Sequence, residues 1–227
     1  MTGELARYVR ALEGLGGVVQ QVRDEDLDRA TPCPPWAVRH LLGHIIDGQR
    51  QVLAMLCEQT PRPPAQGQVA LARAAGAAPA AAWEQEQAQT LETLSHIDLV
   101  SVVSTPGGQM RAGDLLRTAT IEPLLHAWDL ATAIGTAVEL DAHAVQATLD
   151  QVRKLGDQLA ATGMFAPAKP WNRGMTPLEQ LLALTGRTPS PIRAQDQSDA
   201  KDAGGVRPVG TGDARDFQPR IGSARLS

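Results

Sequence analysis

Apolar residues that recur at the helical spacing, segment after segment, constrain this fold most. Leu5, Val9, Leu12, Leu15 and Val19 fall on one stripe of a single stretch, and such a stripe buries only when it is wound at about 3.6 residues per turn. A first helix is predicted over residues 4–22, although Gly14, Gly16 and Gly17 each cost an exposed helix interior up to about 1 kcal/mol. Pro34 and Pro35 suit the first turn of a second helix, 36–58, where proline's missing N–H is not needed. Pro61, Pro63 and Pro64 end that helix, and the Ala-, Gly- and Gln-rich stretch 66–78 reads as a connector with partial helical tendency. Good helix formers over 80–97 give a third helix. The segment "VSVVSTPGGQMRAGD" combines a β-branched run with a Pro-Gly-Gly turn and reads as an extended excursion or small hairpin.

Asp114 is placed to cap a fourth helix that runs to Ile134, with Gly135 as its C-cap. A fifth helix is expected over 142–161. A short sixth follows, with Thr176 as N-cap, Pro177 first, Glu179 at the third position and Gly186 past the end. The sum is an all-α fold, a four-helix bundle with a short additional C-terminal helix, spanning 1–187. From 188 to 227 apolar residues are too sparse to offset the entropy of ordering, so this stretch is expected to be a disordered tail.

Several functions are disfavoured at this stage. A net charge of −4 gives no broad basic field, which argues against nucleic acid as a partner. The first residues lack a signal-peptide pattern, and no run approaches the roughly 20 apolar residues that span a bilayer, so a soluble, cytoplasmic protein with no membrane partner is expected. Two cysteines fit a reducing compartment better than a disulfide framework. Cys57, in "VLAMLCE", is expected in the core; Cys33, with no flanking His or Lys, is expected to be structural. The oligomeric state stays open, a homodimer among the options.

The polar residues of the fourth helix are its anomaly. Leu115, Ala119, Glu122, His126, Asp129 and Ala133 share one face, so an acid, a histidine and a second acid lie among small apolar side chains. If buried, each needs a counter-charge, a donor or a metal. In the second helix His44 shares a stripe with Leu41, Ile45 and Gly48. Together His44, Glu122 and His126 make the donor set of an open divalent-metal site, with Asp129 one turn on as a catalytic or ligand-orienting group. The spacing alone is also that of an ordinary solvated pair, and His40 with His44 is a rival ligand set. Trp36 and Trp128 read equally as pocket walls or core anchors.

The motifs "TPCPPWAVRHLLGHI", "EPLLHAWDLATAIG" and "PLEQLLALTGRTP", in that order, resemble the actinobacterial branch of the DinB-like superfamily, which includes the N-terminal domain of mycothiol-dependent maleylpyruvate isomerase. The resemblance implies a helical bundle with a divalent metal near one end, held by His44, Glu122 and His126, and it favours His44 over His40. Zn²⁺ is the implied ion, with Ni²⁺ also accepted by such donors. It further implies mycothiol as thiol cosubstrate and a transferase or isomerase reaction on a small electrophile, in which thiolate addition to a cis double bond permits rotation and then elimination. The alternative is a metal- or small-ligand-binding protein of the same fold without turnover. Pro123 departs from the pattern: in mid-helix it would kink the chain, and otherwise it marks a helix start. The isomerase has a further C-terminal domain with no counterpart in these motifs, so its substrate does not carry over.

Overall fold

A computed structural model of the chain describes residues 3–189 apart from 157 and 162. The tail expected at 188–227 lies almost wholly outside the described residues. The elements run α1 (Gly3–Val19), α2 (Val38–Leu56), α3 (Gly67–Ala75), α4 (Pro79–His96), the strands β1 (Val102–Thr105) and β2 (Gly108–Arg111), α5 (Ala112–Ala119), α6 (Ile121–Ile134), α7 (Ala142–Leu155), the short α8 (Gln158–Ala161) and α9 (Pro177–Leu184). The helical class expected from the sequence is therefore observed. The β-branched run forms an antiparallel hairpin in which Val103 faces Met110 and Thr105 faces Gly108.

Helices α1 and α2 each pack on both α4 and α6, and α7 packs on α9 and α1. Two apolar clusters result. The larger gathers Leu12, Leu15, Leu41, Ile46, Trp83 and Leu116, and the other joins Leu124, Leu125, Trp128, Val145, Leu149 and Leu181. Helix α6 lies between them, and every residue from Pro123 to Ala131 is buried. A helix buried on all sides is ordinarily apolar all round. The polar groups on α6 therefore sit where only a partnered group is tolerated.

Several boundaries differ from the sequence reading, each for a local reason. The fourth helix is two, with the αR residue Thr120 between them: Pro123, in the first turn of α6, has no N–H to bond the Ala119 carbonyl, and the hydrogen-bond ladder is interrupted there. The proline thus stands at the third position of α6. Arg111, not Asp114, holds the N-cap position of α5, and Asp114 instead pairs with Arg117 at 2.7 Å. The Pro34–Pro35 bond is cis and precedes α2, whose N-cap is Ala37. The connector is helical over α3, and Gly43 is what admits it: a Cβ there would stand 1.9 Å from the Leu71 carbonyl oxygen. The fifth helix stops at Leu155, with Gly156 as C-cap. Cys57 is exposed, because it caps the end of α2 and does not lie inside it.

The segment between α1 and α2 is held like a clasp. Buried Asp26 accepts from the Arg23 N–H at 3.0 Å and from Arg29 Nη1 at 2.8 Å, and the same Arg29 nitrogen reaches the Ile134 carbonyl at 3.1 Å. Thr31 Oγ1 donates to the Trp36 carbonyl at 2.9 Å and accepts from the Cys33 N–H at 3.1 Å. These bonds bring Cys33 and Trp36 over the polar groups of α2 and α6.

Candidate metal centre

The first turn of α6 presents Glu122, and one turn later the same face presents His126. Across from them, α2 brings in His44. Its Nε2 lies 3.3 Å from Glu122 Oε2, and His126 Nε2 lies 3.0 Å from that oxygen. The two imidazoles meet edge to face with centroids 5.0 Å apart, and Trp36 flanks His44 at 4.9 Å. One donor atom from each of the three side chains lies within 4.8 Å of the others. His40 is not among them. Its Nδ1 accepts from the Ala37 N–H at 3.0 Å, closing the start of α2, so the rival pair is spent on a helix cap.

The other ring nitrogen of His126 faces inward. Nδ1 lies 3.0 Å from Asp129 Oδ2, and the Asp129 side chain is wholly buried. Arg187 clamps that carboxylate, Nε on Oδ1 at 2.8 Å and Nη2 on Oδ2 at 2.6 Å, while the Cys33 thiol donates to Oδ2 at 3.2 Å. Arg187 arrives from the turn after α9. There Gly186 adopts φ +83°, and a Cβ would stand 2.6 Å from that of Ala166, so this turn requires glycine. Arg187 is the residue sequence reading missed. A buried Asp129 demanded a counter-charge, but nothing in the spacing said which arginine would supply it. The contact of Cys33 with this cluster was likewise invisible, because its partners are 96 and 154 positions away.

The electrostatics follow from these contacts. Lost hydration works against ionising Glu122, yet hydrogen bonds from His126 and His44 hold its carboxyl well below the usual range. For Asp129 the burial penalty is outweighed by His126 and Arg187, and its pKa falls to about 2. Burial disfavours charge on His126, but hydrogen bonding to Asp129, Cys33 and Glu122 raises its pKa well above the ordinary imidazole value. In the metal-free chain the ring is a cation held between two carboxylates.

The donor set fits a divalent ion. Bonds of about 2.0–2.1 Å in tetrahedral or octahedral geometry put ligand atoms about 2.9–3.4 Å apart; the two separations to Glu122 are 3.3 and 3.0 Å, and the two histidine donors lie within 4.8 Å of each other. Cys33, His126 and Asp129 form a second group within the same limit. There the Arg187 guanidinium already occupies both Asp129 oxygens, so an added cation would face a fixed positive charge. Trp128 belongs to neither group: it is buried in the cluster with Val145 and Leu149 and is a core anchor, not a wall of the site.

Residues 8–131 match the family described as the mycothiol maleylpyruvate isomerase N-terminal domain. The chain belongs to this family. The family match contains His44, Glu122, His126 and Asp129, whereas Arg187 lies beyond it. Two uncharacterised proteins of Mycobacterium tuberculosis, from strains CDC 1551 / Oshkosh and ATCC 25618 / H37Rv, are each 31% identical over 186 residues, covering 81% of this chain and 97% of theirs. A crystal structure of the mycothiol-dependent maleylpyruvate isomerase superposes with a TM-score of 0.51 at 14% identity, covering 73% of this chain and 72% of that one. A histidine-to-alanine mutant of such an isomerase gives 0.53 at 15% identity over the same shares. At those identities the likeness carries the fold alone.

Proposed function

We propose that this chain binds a divalent cation, Zn²⁺ before Ni²⁺, through His44, Glu122 and His126, and catalyses a mycothiol-dependent transfer or isomerisation on a small electrophile in the cytoplasm. The observation that carries the reading is the convergence of His44 Nε2 and His126 Nε2 on one Glu122 oxygen at ligand spacing. A cation held there would act as a Lewis acid, lowering the pKa of a thiol that it coordinates so that thiolate forms near neutral pH.

The chain's own residues supply the rest. Asp129 lies 3.0 Å from His126 Nδ1 as acceptor, which would favour the tautomer that leaves the Nε2 lone pair available to an ion. Arg187 keeps Asp129 ionised and fixes its plane by a two-point contact. Glu122 and His44 stay partly open, with side chains 48% and 30% exposed, so water, thiol and substrate have a route to the remaining coordination positions. A bound ion would take the place of the proton on His126 Nε2, and the Glu122 oxygen that now meets both histidines would be free to serve as its ligand.

Metal analysis of the purified chain beside His126→Ala and Glu122→Gln tests the ligand set. Stoichiometric metal in the parent and its loss in both variants is expected; unchanged content in His126→Ala would sink the assignment. Turnover of a panel of electrophiles that requires mycothiol and stops with chelator is expected next. A chain that keeps its metal but shows no such turnover is a binding protein, not an enzyme.

A further inference from the structure

Side chains of α1, α5 and α7 line a cavity of about 140 Å³ that shares no residue with the metal centre. Its charge runs against that of the chain. Arg7, Arg117 and Lys154 line it beside a single carboxylate, Asp150, in a protein of net charge −4. Arg7 meets Glu4 at 3.5 Å and Arg117 meets Asp114 at 2.7 Å, each across one turn of a partly exposed helix surface. Such pairs hold by about 0–1 kcal/mol, and neither acid lines the cavity. Lys154 makes no ion pair among the described residues.

Helix α7 adds donors that the protein itself does not use. On successive turns it brings Thr148, Gln151 and Lys154 to the wall, and none of these side chains makes a hydrogen bond among the described residues. Thr148 is the informative one, because it is only 4% exposed. A buried threonine within a helix commonly returns its hydroxyl to a carbonyl one turn back, as Thr120 does to Leu116 at 2.7 Å; Thr148 does not. Nor is that hydroxyl sealed in, since among the described residues only the Trp83 indole nitrogen is both sealed and unpartnered. The little surface that Thr148 keeps therefore includes its hydroxyl, on the wall of the cavity.

Asp150 narrows the kind of anion. Gln146 Nε2 at 2.9 Å and Arg153 Nη1 at 3.6 Å both engage its Oδ1, and Oδ2 has no partner among the described residues. An anion without protons is repelled by that oxygen, whereas one that carries a proton can donate it there. A cavity of about 150 Å³ accommodates a benzene-sized molecule, so a tetrahedral oxyanion fits this one.

We propose that this cavity is a phosphate site, taking hydrogen phosphate or the terminal phosphoryl group of a small ester. Arg7, Arg117 and Lys154 offset its charge, Thr148 and Gln151 donate to its oxygens, and Asp150 Oδ2 accepts its remaining proton. The site depends neither on a metal nor on the reading of the metal centre.

The full metal-free chain is titrated with inorganic phosphate, glycerol 3-phosphate and sulfate, reading binding heat and melting temperature. Stabilisation by millimolar phosphate or ester is expected, and the tighter of the two identifies the free ion or an ester as the occupant. Sulfate has the same shape and no proton at neutral pH, so it should bind at least about tenfold more weakly than phosphate, and Asp150→Asn should close that gap. Lys154→Met should weaken phosphate about tenfold. Thr148→Val keeps the shape and loses a hydroxyl that has no partner in the protein, so melting without phosphate should be unchanged while phosphate affinity falls about threefold to tenfold. His126→Ala should leave phosphate binding as it is. Binding lost in His126→Ala but kept in Lys154→Met would put the anion on the cationic ring of the metal centre and overturn the proposal. So would a chain that responds to neither phosphate, or one that binds sulfate as tightly as phosphate.

Discussion

The two nitrogens of His126 face opposite surroundings. Nε2 looks onto Glu122, whose side chain is 48% exposed, and onto a half-buried His44; Nδ1 looks onto Asp129, which is 0% exposed and clamped by Arg187. The same pair of groups, imidazole and carboxylate, meets at 3.0 Å on both sides. The difference lies in what surrounds them. On the open side a carboxylate can exchange partners at little cost because water is at hand. On the closed side a carboxylate without its arginine would be an uncompensated buried charge. One ring is thereby fixed by its inner face and free to ligate with its outer one.

The largest expected effect comes from breaking the closed side. Arg187→Met keeps the aliphatic stem and removes the charge, and it should destabilise the metal-free chain by about 3–5 kcal/mol, read from urea unfolding at neutral pH. It should also weaken metal binding by about 10–100-fold, since Asp129 is no longer held against His126. Adding Asp129→Leu to that variant should restore most of the lost stability and none of the affinity. By contrast, Glu122→Gln on the open side should change stability by no more than about 1 kcal/mol while the metal is lost. Equal stability losses for Arg187→Met and Glu122→Gln would erase the distinction between the two faces.

Acidity sharpens the same comparison by about 1.4 kcal/mol per pH unit. The folded-state pKa of His126 is raised, so in the metal-free chain its contribution to stability is complete below about 6.5 and is lost as pH rises through the folded value. Metal binding runs the other way. Over the window from about 6.5 up to that raised value, one proton leaves Nε2 for each ion bound, and affinity should climb about tenfold per unit. Titration with Zn²⁺ in a competing chelator at several pH values reads this slope; a flat profile would mean that His126 Nε2 is not a ligand. Asp129, depressed to about 2, contributes stability above its unfolded value and loses it only as pH falls through about 2, so it stays silent across this window.

The outer face was legible in the sequence because its signals are local. Glu122 and His126 are one helical turn apart, and His44 breaks an apolar stripe in the same way. The inner face was legible only by half. Asp129 stood on the right stripe, but Arg187 is 58 positions away and is delivered by the Gly186 turn, a tertiary contact that no periodicity encodes. Pro123 had two readings from sequence, a helix start or an interruption within a longer helix; it lies in the first turn of α6, which begins at Ile121 with one residue between it and the end of α5, and Glu122 stands beside it. Cys57 was misjudged, and Trp128 left open between wall and core, for one reason. Membership of an apolar run does not say which side of a helix end, or which of two clusters, a side chain will reach.

The smallest expected effect is also the most discriminating. Cys33 contacts the closed side, donating to Asp129 Oδ2 at 3.2 Å and receiving a long contact of 3.8 Å from Arg187 Nη2, with His126 also in reach. Cys33→Ala removes one weak donor from a carboxylate that keeps both arginine contacts and His126, so unfolding free energy should fall by about 1 kcal/mol or less. Metal affinity should stay within about threefold of the parent's, because the thiol acts on an oxygen already fixed by stronger partners. Cys33 is nonetheless part of the alternative donor group with His126 and Asp129. If an ion sat on that side, Arg187 would have to swing away, the thiolate would become a principal ligand, and Cys33→Ala would strip the metal as thoroughly as His126→Ala. Cobalt substitution separates the two cases by colour: intense thiolate-to-metal charge-transfer absorption is expected only from the inner group, and its absence in the parent chain leaves the ion on the face of Glu122 and His44.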